Sequence, residues 1–249
     1  MRIVIVKDYE ELSKKAALLL ASQITLKPNS VLGLATGSTP IGTYGELVRI
    51  YNEGDISFSE IVTFNLDEYY GLDKENAQSY YYFMEENLFK HVNINISNIH
   101  IPDGRARDIE QECIEYERKI KQAGGIDLQL LGIGRNGHIG FNEPDVKFEA
   151  QTHLVTLDED TIEANSRFFD SLEEVPRRAI SMGIKTIMHS RKIVLLASGE
   201  EKAETIHNMI NGKITPELPA SVLQLHPDVV ILLDEKAASK LNKNALGNI

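Results

Sequence analysis

The chain has 249 residues, 42% of them hydrophobic and 25% charged, with 26 Lys and Arg against 37 Asp and Glu for a formal charge of −11. That balance fits a water-soluble globular protein with a sizeable core, and it argues against a nucleic-acid or anionic-membrane partner, since both reward clustered basic residues. The longest apolar runs, 192-KIVLLA-197 and 229-VVILLD-234, fall well short of the roughly 18–20 residues of a membrane helix. The N-terminal MRIVIVKDYEEL has too short an apolar stretch for a signal peptide and reads as a first strand. A single cysteine excludes an internal disulfide and makes the cytoplasm the expected compartment. Cys113 falls in helical spacing with Ile109, Tyr116 and Ile120, the pattern of a core position.

Short β-branched runs alternate with longer amphipathic stretches along the whole chain. In order, the predicted strands are 2–6, 30–35, 61–66, 126–133, 152–157, 178–184, 192–197 and 228–234. The predicted helices lie near 9–26, 40–53, 78–90, 106–123, 160–170, 200–211 and 235–243. Several strands are apolar on both faces, as in a sheet covered by helices on each side, and β–α alternation implies a mainly parallel, doubly wound sheet. No repeat, low-complexity tract or linker divides the sequence, so a single domain over residues 1–249 is expected. Ligands of such sheets bind beyond the carboxyl ends of strands, which directs attention to the loops there.

After the first of these loops' strands, Thr36-Gly37-Ser38-Thr39 leads into Pro40 and a helix. One reading is a turn capped by Ser or Thr, with Pro in the first helical turn. The other is an anion site of free backbone N–H groups and hydroxyls, with phosphate the usual guest. It is not the nucleotide-binding lysine loop, because no Lys stands where that loop needs one. In 61-IVTFNLDEYYGL-72, Asp67 and Glu68 follow a strand directly. They read either as caps or solvated turn residues, or as a carboxylate desolvated against aromatics for use as a general base.

The segment 130-LLGIGRNGHIGFNEP-144 formally matches the dinucleotide fingerprint at Gly132, Gly134 and Gly137, but Gly140 and Pro144 break the helix that the fingerprint requires, so no nicotinamide cofactor is expected. It crowds Asn136, His138 and Glu143 into a glycine-rich loop. His138 with Glu143 is either a plain hydrogen-bonded pair or an imidazole oriented for acid/base work, and the ligands are too few for a metal. Two cations join the set. Lys202 lies in the first turn of a helix, where a positive charge is relieved by a bound anion or by Glu200 and Glu201. Arg167 is either solvated or a phosphate ligand, with Phe168 and Phe169 beside it to anchor the segment.

Together TGSTP, FNLDEYYGL, GIGRNGHIGFNEP, NSRFF and 222-VLQLHPD-228 resemble the glucosamine-6-phosphate deaminase family from the first strand almost to the C-terminus. The resemblance implies an α/β fold, a Rossmann-like three-layer α/β/α sandwich. It also implies conversion of glucosamine 6-phosphate and water to fructose 6-phosphate and ammonia, without metal or organic cofactor. Asp67 would be the enolisation base and His138 the group that opens the pyranose ring. Glu143 would hold the imidazole, assisted by Asn136. Thr36, Gly37, Ser38, Thr39, Arg167 and Lys202 would bind the substrate's phosphate end.

Asn136 stands where many members carry Asp, so it orients without charge. The segment 145-DVKFEAQTHLVTL-157 has His153 and Val155 where effector-responsive members carry a basic pair, and the tail after the last helix is short. An enzyme without an effector site, a monomer or homo-oligomer, is therefore expected. The rivals are a 6-phosphogluconolactonase, a pentose-phosphate isomerase and a non-catalytic sugar-phosphate sensor. A lactonase needs no base for a carbon-bound proton, and a sensor needs neither a base nor an attached imidazole. A sensor of this kind would carry a DNA-binding module, and no basic helix-turn-helix segment is expected here beside Arg2 or Ile249.

Overall fold

The computed structural model describes residues 1–242 and, at Phe168, the backbone only. The chain runs β1 (Arg2–Val6), α1 (Tyr9–Leu26), β2 (Val31–Leu34), α2 (Ile41–Asn52), β3 (Val62–Asn65), β4 (Asp67–Tyr69), α3 (Tyr80–Asn87), β5 (Ile99–His100) and α4 (Ile109–Gln122). It continues with β6 (Leu128–Leu131), β7 (His153–Thr156), α5 (Glu159–Asn165), β8 (Arg178–Ser181), α6 (Ile184–Met188), β9 (Lys192–Ala197), α7 (Ala203–Asn211) and β10 (Val229–Asp234). Local chemistry sets these boundaries. Asp8 caps α1 by accepting the Glu11 N–H at 3.0 Å, and Leu12, Ala16, Leu20 and Ile24 then recur every four residues on its buried face. Every residue of β2, β6 and β10 is buried, as in strands packed on both faces.

Seven strands form one parallel sheet in the order β1-β10-β9-β6-β2-β3-β5. One apolar core lies between it and α1, α2 and α3, and another between its opposite face and α4, α6 and α7. The result is the Rossmann-like three-layer α/β/α sandwich. Because the strands are parallel, their carboxyl ends share one edge. From β2 the chain moves outward to β3 and β5, and from β6 in the opposite direction to β9 and β10. A crevice is expected at that change of direction.

Three expectations are corrected. The runs at 152–157 and 178–184 are strands, but β7 and β8 leave the main sheet and pair antiparallel with each other and with β4, in a three-stranded sheet of order β4-β8-β7. The second run also ends at Ser181, where Gly183 opens α6. The helix expected at 235–243 does not form over its described residues. The Asp234 carboxylate accepts the Ala237 N–H at 2.7 Å, and Ser239 and Leu241 bond three residues back, giving successive turns. The short tail beyond Asn242, and the anchoring expected of the Phe168 side chain, lie outside the described residues.

At the opposite edge, the buried Asp127 carboxylate accepts from Lys27 Nζ (2.9 and 2.7 Å), Arg191 Nη1 (2.9 Å) and the Val31 N–H (2.8 Å). It thereby joins the end of α1 to the starts of β2, β6 and β9. Asp127→Ala leaves the Val31 amide without that partner, for which we expect a loss of about 1–3 kcal/mol in unfolding free energy by urea titration. An unchanged midpoint would show that water replaces the carboxylate without cost.

Candidate active site

A cavity of about 560 Å³ opens at the carboxyl edge of the sheet, lined from the loops after β2, β3, β6 and β9 together with α5 and the segment that follows it. It gathers almost every residue singled out in the sequence: Thr36, Gly37, Ser38, Thr39, Asp67, Asn136, His138, Arg167 and Lys202. Glu143 does not line it and stands behind His138.

The capping reading of the β2 loop does not hold. No side chain caps α2, whose N-cap position is Pro40 itself, so the Ser and Thr hydroxyls are not used for capping. Gly37 has φ of 96°, a conformation that glycine adopts without a steric cost. Arg167, arriving from beyond α5, donates from Nη2 to Ser38 Oγ at 3.0 Å, so residues 129 apart in sequence meet here. Lys202 at the start of α7 is mostly buried. That burial pulls its ammonium down to about 8, Arg135 and Arg167 add repulsion, and Glu201 opposes them.

Asp67 and Glu68 are placed differently, and the cap reading holds for Glu68. Consecutive residues of β4 point to opposite faces. Asp67 faces the cavity, where burial, reinforced by the Glu68 charge, pushes its carboxyl up to about 8. Glu68 turns away to serve as a cap: it accepts the N–H groups of Tyr69 (2.8 Å), Tyr80 (2.9 Å) and Tyr81 (2.9 Å), pinning α3 to β4. Burial raises the Glu68 carboxyl to about 7 against those amides. Tyr80, held in this way, lines the cavity and stacks on Phe141 with ring centres 6.0 Å apart. Phe169 packs edge-on to Tyr69 at 5.8 Å, as expected of an anchor for the Arg167 segment.

In the third loop the Gly134 N–H donates to the His138 carbonyl at 2.9 Å, and a Cβ on Gly134 would lie 2.4 Å from the imidazole. His138 Nδ1 is 3.2 Å from Glu143 Oε2 and 3.3 Å from Thr161 Oγ1. With Nδ1 engaged by the carboxylate, Nε2 is left as the acceptor. Burial works against ionised Glu143, but His138, Thr161 and Asn136 outweigh it and hold the carboxyl below its usual range. Asn136 makes its hydrogen bonds to Glu143 and to the His138 backbone, not to the ring. Its Nδ2 donates to Glu143 Oε2 at 2.8 Å and its Oδ1 accepts the His138 N–H at 3.2 Å, so it braces the carboxylate and the loop backbone.

Sequence reasoning missed Thr161, Tyr80 and Arg135, and it named Glu68 without separating its role from that of Asp67, although strand alternation puts the two on opposite faces. Thr161 carried no usable signal, because 23 residues separate it from His138. Among the described residues, no group of three or more His, Cys, Asp or Glu is placed to hold a metal, and no helix is long and apolar enough to cross a membrane.

Residues 7–231 match the family of glucosamine-6-phosphate isomerases and 6-phosphogluconolactonases. The chain belongs to that family. It is 65% identical to a glucosamine-6-phosphate deaminase of Clostridium botulinum over 241 residues, covering 97% of this chain and 99% of that one. It is 62% identical to the deaminase of Clostridioides difficile over 242 residues, 97% of each. A solved monomeric glucosamine-6-phosphate deaminase superposes with a TM-score of 0.94 at 48% identity, over 96% of this chain and 99% of that one. A 6-phosphogluconolactonase of Thermotoga maritima, at 21% identity and TM-score 0.72 over 94% of this chain and 99% of that one, shares the fold.

The Glu68 charge acts on Asp67 without sharing its cavity. We expect Glu68→Gln to lower the pH at which Asp67 ionises, followed by the carboxyl infrared band that Asp67→Asn removes. An unmoved midpoint would leave burial as the sole cause.

Proposed function

We propose that this chain is a glucosamine-6-phosphate deaminase, converting glucosamine 6-phosphate and water to fructose 6-phosphate and ammonia in amino sugar catabolism, with residues 1–249 as one functional domain. The observation that carries the reading is a single cavity with hydroxyls and cations at one end and a buried carboxylate and a carboxylate-braced imidazole elsewhere in its wall. The similarity to curated deaminases supports it.

The chemistry asks for these parts in turn. Residues 36–39, Arg167 and Lys202 hold the phosphate, whose binding energy fixes the reacting carbons. His138 Nε2 takes the proton of the anomeric hydroxyl and delivers one to the ring oxygen, breaking the ring C–O bond to give the open-chain aldehyde. Glu143 and Thr161 keep the imidazole facing correctly. Asp67 removes the proton from the amine-bearing carbon, and electrons move through the new C=C bond to the aldehyde oxygen, which is protonated as the enolamine forms. Returning the proton to the former anomeric carbon leaves an imine on its neighbour. Water adds to that carbon and ammonia departs, so one water is consumed for each ammonia released.

Asp67 acts as carboxylate and Lys202 as ammonium. Activity therefore rises with pH towards about 8 as Asp67 loses its proton, and falls above about 8 as Lys202 loses its own. A lactonase has no carbon-bound proton to move and no use for such a base. The solved monomeric relative and the absence of a basic pair at His153 and Val155 also support a monomer without an effector response. The reading places the enzyme in the cytoplasm with its phosphorylated substrate.

Ammonia release from glucosamine 6-phosphate tests the activity, and a hyperbolic rate curve unmoved by N-acetylglucosamine 6-phosphate tests the missing effector response. A sigmoidal curve straightened by that compound would overturn the latter. We expect Asp67→Asn to abolish solvent exchange of the proton on the amine-bearing carbon, read by NMR, while inorganic phosphate binding persists. Near-normal exchange would remove Asp67 from its role. For His138→Gln the rate loss should be larger on the cyclic sugar than on substrate generated in open-chain form. Equal losses would place the imidazole in a later step.

A further inference from the structure

We propose that Arg135 is a third cationic ligand for the substrate's phosphate, supplied by the loop that carries His138. The inference rests on the deaminase reading for the substrate, and on the cavity itself for the anion. Arg135 directly precedes Asn136 and is held by its backbone: its carbonyl accepts from Thr205 Oγ1 on α7, and the flanking Gly134 N–H donates to the His138 carbonyl at 2.9 Å. Gly137, at φ of 88°, lets the loop close against Leu218, whose Cδ1 would lie 2.2 Å from an added Cβ. The backbone is thus fixed while the Arg135 side chain stays exposed at the wall shared with Ser38 and Lys202.

Three cations, Arg135, Arg167 and Lys202, line the cavity with the carboxylates Asp67, Asp160 and Glu201, and of these carboxylates it is Glu201 that acts on Lys202. Among the described residues neither Arg135 nor Lys202 forms an ion pair within 4.0 Å, although Lys202 is mostly buried. The Arg135 charge reaches Lys202 strongly enough to disfavour its protonated form, more so than Arg167 does. The Arg135 and Lys202 charges repel one another, and a dianion between them is the species that reverses the sign of each interaction. A guanidinium suits a phosphate because its planar fork donates two parallel N–H bonds. A phosphate reached from this loop would also join the grip on the substrate to the segment that positions His138.

The test compares Arg135→Met and Arg135→Lys with the wild-type enzyme. A lost charge-assisted hydrogen bond should raise both KM for glucosamine 6-phosphate and the calorimetric Kd for inorganic phosphate by about tenfold or more in Arg135→Met, with a smaller fall in kcat and partial recovery in Arg135→Lys. The alkaline limb of kcat/KM should also move to higher pH in Arg135→Met. The charges acting on Lys202 are Glu201, Arg135 and Arg167, and removing one positive neighbour favours its ammonium. Unchanged phosphate affinity with an unmoved alkaline limb would overturn the proposal, as would a fall in kcat alone. The phosphate titration needs no turnover. A wild-type enzyme that binds phosphate through Arg135 but releases no ammonia would sink the deaminase reading and leave this one standing.

Discussion

Parallel strands must end on the same side, and everything at the site follows from that restriction. β9, β6, β2 and β3 are neighbours in the sheet, so the loops that leave them are neighbours as well, whatever their separation in sequence. The turn of residues 36–39 after β2, the carboxylate after β3, the imidazole after β6 and the lysine after β9 share one cavity because their strands hydrogen-bond side by side. The second sheet adds what a parallel layer lacks. By pairing β4 with β8 it turns the chain at Leu66 and holds Asp67 rigidly, with the Met182 N–H bonded to the Leu66 carbonyl at 2.7 Å.

The cavity is electrostatically polarised, and each end is disfavoured on its own. Asp67 is a buried carboxyl that resists ionisation, and Lys202 is a mostly buried ammonium that resists protonation. A phosphorylated amino sugar carries the complement of both, a dianion at one end and an amine near the other. On the proposed reading the substrate supplies an opposite charge to each group and so favours the charged form that burial opposes. The His138 group contrasts with this: Glu143, Thr161 and Asn136 give the imidazole a fixed direction without any bound molecule.

The sandwich was readable from periodicity because long signals such as 192–197 and 228–234 are apolar on both faces and nothing else explains them. The small antiparallel sheet was not. β4 has three residues, too few to show a period, and the runs at β7 and β8 look the same whether their partners are parallel or antiparallel. The helix expected at 235–243 had the composition but not the environment, since the Asp234 carboxylate draws the first amides into turns. Site residues were legible where a loop concentrates unusual chemistry, as at 36–39 and 136–143. They were not where function depends on a meeting across the fold. Thr161 reads as an ordinary helix residue until the imidazole is beside it, and nothing in the sequence sets Arg135 apart until the fold brings its loop to the same cavity wall as Lys202.

A crystal structure with 2-amino-2-deoxyglucitol 6-phosphate, an open-chain analogue that cannot react, bears on the central claim most directly. The expected complex has the phosphate against Gly37, Ser38 and Thr39 with Arg167 and Lys202 around it. In the same complex the amine-bearing carbon lies beside Asp67 and the terminal hydroxyl near His138. A phosphate seated outside this cavity, or a carbon chain that cannot reach Asp67 from it, would contradict the claim.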